Sequence, residues 1–75
     1  MSELEEQVRA AWSLPSRVMR RAIRENARVS QAALALELGV ARNTVVRWEK
    51  DDREPRGRLR AEYARALRQL EEAMR

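Results

Sequence analysis

Seventy-five residues make one small domain, and a chain of this size removes only about 60% of its unfolded surface from water, so its own core is marginal. The absence of Cys and His excludes disulfides, thiolate metal sites and the usual zinc constellations, and removes the commonest enzymatic bases and nucleophiles. Sixteen basic residues against 12 acidic leave a net charge of +4, a sign that suits a polyanionic partner, although a chain that is 37% charged also has an ordinary solvated surface.

The first predicted helix spans residues 2–12. Ser2 can cap it, with Glu5 at capping-box spacing, and Leu4, Val8, Ala11 and Trp12 form one apolar stripe. This segment is acidic: Glu3, Glu5 and Glu6 outweigh Arg9. Pro15 disfavours helix at Leu14 and breaks the pattern. A second helix follows, with Val18, Met19, Ala22, Ile23 and Ala27 at helical spacing and Met19 expected in the core. Arg17, Arg20, Arg21, Arg24 and Arg28 take much of the remaining surface, against a single acid, Glu25, so a basic block precedes the next segment.

Ser30 is a good N-cap for a short helix running to Leu38, and Ala35 is small enough to let another helix cross closely. Gly39 suits the left-handed residue that ends it. The chain turns through Val40 and re-enters a helix near Ala41 or Arg42. Two short helices joined by a brief Gly-containing turn are the helix-turn-helix pattern. In the second of them Ala41, Val45 and Trp48 share the face expected to be buried. Arg42, Asn43, Val46, Arg47 and Lys50 lie opposite. Arg and Asn hydrogen-bond to base edges in the major groove, so Arg42, Asn43 and Arg47 are candidate base readers. Val46 is open to two readings, a scattered surface valine or a contact to a thymine methyl group.

Residues 50–57 read as a polar loop with Pro55 and Gly57, placing Arg53, Arg56 and Arg58 where they can reach phosphate. A long helix over about 57–74 carries Leu59, Tyr63, Ala66, Leu67, Leu70 and Met74 on one stripe.

The pattern Ser30-Gln31-x-x-Leu34-Ala35-x-x-x-Gly39-Val40-x-x-x-Thr44-Val45-x-x-Trp48-Glu49 resembles the Cro/repressor-like (XRE-type) helix-turn-helix family of bacterial and phage regulators, with the likeness extending over about residues 16–70 and including Arg53 and Pro55. The resemblance implies phosphate contact by Gln31, base contact by Arg42, Asn43 and Arg47, and phosphate contact or helix-start support by Thr44. It also implies an internal ion pair between Glu49 and Arg24, whose disruption would cost roughly 3–5 kcal/mol if the pair is buried. Two positions depart from the family pattern. Asp51 replaces a common Gly, so the loop can take another path. Ala41 replaces a common Ser, a missing side-chain cap worth about 1 kcal/mol.

The expectation is therefore an all-α, four- to five-helix domain with a lambda-repressor-like DNA-binding fold: an N-terminal helix extension over 1–14, the helix-turn-helix over 30–50, and a C-terminal helix over 57–75. Its expected function is sequence-specific binding of double-stranded DNA as a small transcriptional regulator. Arg42, Asn43, Val46 and Arg47 would meet bases; Gln31, Thr44, Lys50, Arg53 and Arg56 would meet phosphates. Neutralising roughly four to six phosphates would give a log–log salt slope of about −4 to −5. One helix reads few base pairs, so a homodimer is expected, at least on DNA. Leu67, Leu70, Met74, Leu4, Val8 and Trp12 supply apolar surface for it; the N-terminal three can instead pack within the chain, the arrangement favoured here, or grip another protein. Two other functions compete: an excisionase-like or DNA-bending architectural factor, and an antitoxin or similar protein-interaction module. No enzymatic activity, cofactor, metal or small-molecule effector is expected. No apolar run approaches the ~20 residues of a membrane span, and the N-terminus lacks a signal-peptide pattern, so a cytoplasmic, nucleoid-associated protein is expected.

Overall fold

The structure, a computed structural model, describes residues 2–5, 13–50 and 53–75. Among these, four helices of eight or more residues occur and no strand: α1 (Arg17–Asn26), α2 (Gln31–Leu38), α3 (Arg42–Lys50) and α4 (Gly57–Ala73). Residues 3–5 are also helical, and Ser2 Oγ accepts from the Glu5 amide at 3.2 Å.

Local chemistry fixes the helix ends. Ser16 Oγ accepts from the Met19 amide and starts α1, just after Pro15 has kept the chain extended. At the other end Arg28 takes a left-handed conformation (φ 59°) that costs a side-chain-bearing residue energy. It lets the Arg28 and Val29 amides return to the Glu25 and Arg24 carbonyls. Ser30 Oγ caps α2 through the Ala33 amide at 3.0 Å. Gly39 closes α2 at φ 70°, where a Cβ is disfavoured, and the Val40 amide bonds back to the Ala35 carbonyl. The turn then delivers Ala41, whose carbonyl accepts from the Thr44 amide as α3 begins.

The core gathers Ile23 of α1, Leu34, Ala35 and Leu38 of α2, Val45 and Trp48 of α3, and Tyr63, Ala66 and Leu67 of α4. Leu14, Val29, Val40, Leu59 and Leu70 pack around it. α2 and α3 form the most extensive helix pair, and α1 packs against both α3 and α4. The Trp48 and Tyr63 rings stack with centroids 4.9 Å apart, joining α3 to α4.

Several sequence expectations fail here. Val18 and Met19 are 81% and 50% exposed, so Met19 is not core. The inward stripe of α1 is instead Arg20, Ile23 and Arg24. The helix is rotated because acceptors on α3 and the following loop take up those two guanidiniums. Ala41 is exposed because it precedes α3 rather than sharing its inner face. Leu67 is only 1% exposed, so its packing inside this domain removes it from any surface interface; Leu70 is partly covered, and Met74 is exposed. Leu4 is 69% exposed and does not pack within the chain as favoured above. The expectations for Val8, Trp12 and Asp51 lie outside the described residues.

Candidate nucleic-acid interface

With Val45, Trp48 and Glu49 turned inward, α3 leaves Arg42, Asn43, Arg47 and Lys50 exposed, with Thr44 and Val46 half-buried. Helical spacing alone produces this division, because three and four residues return to the same face. The helix shows its N-terminal half outward beside the start of α2.

A polar chain runs from the interior to this surface. Arg24 Nε and Nη2 donate to Glu49 Oε2 and Oε1 at 2.6 and 2.9 Å, in a bidentate fork. Both side chains are almost fully covered. Arg24 Nη1 also donates to the Val29 carbonyl, so the buried guanidinium is well satisfied. The carboxylate hydrogen-bonded to it raises the Arg24 pKa against the opposing effect of burial. Gln31 Nε2 donates to Glu49 Oε1 at 3.2 Å, and Gln31 Oε1 accepts from Arg42 Nη2 at 3.3 Å. The Gln31 amide therefore has a fixed orientation: its donor end faces inward and its acceptor end holds a guanidinium on α3. Arg21, Gln31, Arg42, Val46 and Lys50 line an open groove of about 700 Å³ above this chain.

A second cluster holds the far end of α3. Arg20, 5% exposed, donates from Nε to the Pro15 carbonyl and from Nη1 to the Trp48 carbonyl. It also forms a bidentate pair with Glu54. Arg17 Nη2 lies 2.7 Å from Glu54 Oε1, and Arg60 Nη1 lies 3.8 Å from Oε2. The Arg20 hydrogen bond, aided by the other two charges, holds the Glu54 carboxyl below its ordinary pKa of 4.5. The guanidiniums at the C-terminal end of α3 also oppose its helix dipole favourably. Arg53 and Arg56 are exposed in the segment leading into α4.

The sequence reading missed this second cluster and misjudged the basic block before the motif. Arg17, Arg20 and Arg24 are occupied by internal acceptors, and Arg21 pairs with Glu25 on the surface at 3.3 Å. The available signal was the poverty of α1 in large apolar residues at the Ile23 register, which left only arginines to complete its inward stripe. On α3 the exposed positive side chains are Arg42, Arg47 and Lys50, and Arg53 lines an open cleft with Thr44, Arg47 and Trp48. Among the described residues, no helix is long and apolar enough to cross a membrane, and no three His, Cys, Asp or Glu side chains come together as metal ligands.

A family model described as helix-turn-helix matches residues 21–72, which takes in the end of α1, all of α2 and α3, and most of α4. No curated protein and no solved structure matches the chain.

Proposed function

The chain belongs to the Cro/repressor-like helix-turn-helix family of DNA-binding regulators, and on that premise we propose that it reads specific duplex sites with α3. The N-terminal end of α3 enters the major groove. Arg42 and Arg47 pair with guanine O6 and N7, and Asn43 with adenine N6 and N7, each good bidentate contact contributing about 1–3 kcal/mol of discrimination. Val46 lies between them, within reach of a thymine methyl group. Thr44, Lys50, Arg53 and Arg56, together with Gln31 through its backbone amide at the start of α2, hold the phosphates on either side and set register without reading sequence.

The observation that carries this reading is the inward turn of Val45, Trp48 and Glu49, which leaves the guanidinium and amide groups of α3 facing solvent. The orientation of Arg42 by Gln31 supports it further, because a side chain already ordered loses less entropy on binding. One such helix covers few base pairs, so the protein acts as a homodimer on DNA, on half-sites about one helical turn apart. As a cytoplasmic, nucleoid-associated repressor, it would regulate transcription by occluding RNA polymerase from the promoter.

Selection of binding sites from a pool of random duplexes tests the whole reading. Enrichment of a sequence with two related half-sites is expected, and Arg42→Ala should lose preference at one position of each half-site while leaving the fold intact by circular dichroism. A pool that emerges unenriched from the wild-type protein removes sequence-specific binding from consideration.

A further inference from the structure

The reading helix and the loop that bears Arg53 and Arg56 share an anchor on α1. Arg17 Nη1 lies 3.2 Å from the Arg47 and Trp48 carbonyls at the end of α3 and 3.1 Å from the Arg53 carbonyl in the loop. Its Nη2 meets Glu54, and Arg20 bonds both to the Trp48 carbonyl and to the two Glu54 oxygens. Three guanidiniums thus converge on one carboxylate, and two of them grip the C-terminal end of α3 with their remaining protons. We propose that Glu54 is a positioning residue for base readout: through Arg17 and Arg20 it locks α3 to the 53–56 loop. Phosphate contacts made by the loop then dictate where Arg42, Asn43 and Arg47 meet the bases. The inference rests on the DNA reading above and adds a residue that touches no base.

The chemistry requires a carboxylate. Both Glu54 oxygens accept, Oε1 from Arg17 and Arg20, Oε2 from Arg20 with Arg60 beyond. A glutamine of the same shape offers one acceptor oxygen and turns an NH2 group toward a guanidinium, donor against donor. It also removes the charge that lets the arginines crowd together. The α3 end and the loop then lose their common anchor while the apolar core is untouched.

The test compares wild type with Glu54→Gln on the duplex selected above and on a scrambled duplex, at matched salt and well below both melting transitions. The expected result is an about tenfold fall in the ratio of the two affinities. Affinity for the scrambled duplex should hold or rise, because a negative charge has left the surface, and the salt slope should stay within about one unit. An unchanged ratio overturns the positioning role and leaves DNA reading standing; a wild type without preference overturns the DNA reading itself. Should Glu54→Gln fail to fold, Arg17→Lys serves instead. Lysine keeps a charge for Glu54 but lacks the planar fork that spans carboxylate and carbonyls. It must lower the same ratio, and a ratio equal to wild type overturns the proposal equally.

Discussion

Helices α1 and α3 both carry arginines and turn them opposite ways. On α1, Arg20 and Arg24 are buried and Arg17 is half-buried, all three against acceptors on α3 or the 53–56 loop. On α3, Arg42 and Arg47 face outward, with the Gln31 amide steadying the first. Position in a basic run therefore says little about availability to a polyanion. What decides it is the supply of acceptors on the facing element. α1 lies against the open carbonyls at the end of α3 and against Glu49 and Glu54, whereas the outer face of α3 meets solvent. A long side chain with an apolar stem and a polar head can serve either role.

The most severe way to probe this contrast is to remove one inward guanidinium. Arg24→Ala strands the Glu49 carboxylate in the interior and should cost about 3–5 kcal/mol of stability, read from urea denaturation. Set against a marginal small core, that loss is enough to leave much of the protein unfolded. An Arg24→Ala protein as stable as wild type would mean that the pair is solvated and the contrast between the helices mistaken.

Next in size is the alkaline limb of the stability curve. Tyr63 lies against the inward arginines, its ring 6.0 Å from the Arg20 guanidinium carbon. Burial, with Glu49 adding to it, pushes the Tyr63 hydroxyl up from 10.0 to about 12. The folded protein keeps this proton over a range in which the unfolded chain releases it. Stability from this group is whole below pH 10 and drains away as pH rises to about 12. The total is about 2–3 kcal/mol, from the conversion of roughly 1.4 kcal/mol per pKa unit. Denaturation series across that window, with phenolate absorbance followed in parallel, should show both changes together. A flat stability profile would show that the hydroxyl reaches water.

The outward set should respond in the reverse sense. Arg47→Ala is expected to leave stability within about 0.5 kcal/mol of wild type, as surface changes do. On DNA it should relax preference at a single base position by about 1–3 kcal/mol. Competition binding against duplexes varied one position at a time separates this from a general loss. Uniform weakening on all duplexes would reassign Arg47 to the phosphates.

The contrast itself was only half legible in the sequence. The α2–turn–α3 segment could be read because its determinants are local: Ser30 as a cap, Gly39 in the left-handed conformation, and the Val45–Trp48 spacing. The Arg24–Glu49 contact entered through the family pattern, since nothing in the spacing along α1 singles out Arg24 from Arg21. The roles of Arg17, Arg20 and Glu54 were missed because the partners that join α1 to α3 and the 53–56 loop lie 28 to 37 residues away along the chain. Periodicity has no access to that distance. The same limit misplaced Met19 and Leu67. An apolar stripe shows that a face is covered, but not whether by the same chain or another.

The smallest effect belongs to the Tyr63 hydroxyl, which among the described residues is the buried side-chain oxygen without a hydrogen-bond partner. Its neighbours on α1 and α3 direct their hydrogen bonds to one another and to backbone carbonyls. A buried hydroxyl left in that position costs free energy on folding, and its removal breaks no bond. Tyr63→Phe keeps the ring stacked on Trp48 and should leave stability unchanged or raise it by up to about 1 kcal/mol. It should also abolish the alkaline loss, which ties the two measurements together. A Tyr63→Phe protein less stable than wild type would show that the hydroxyl does have a partner. The inward arginines would then belong to a larger polar network that reaches α4.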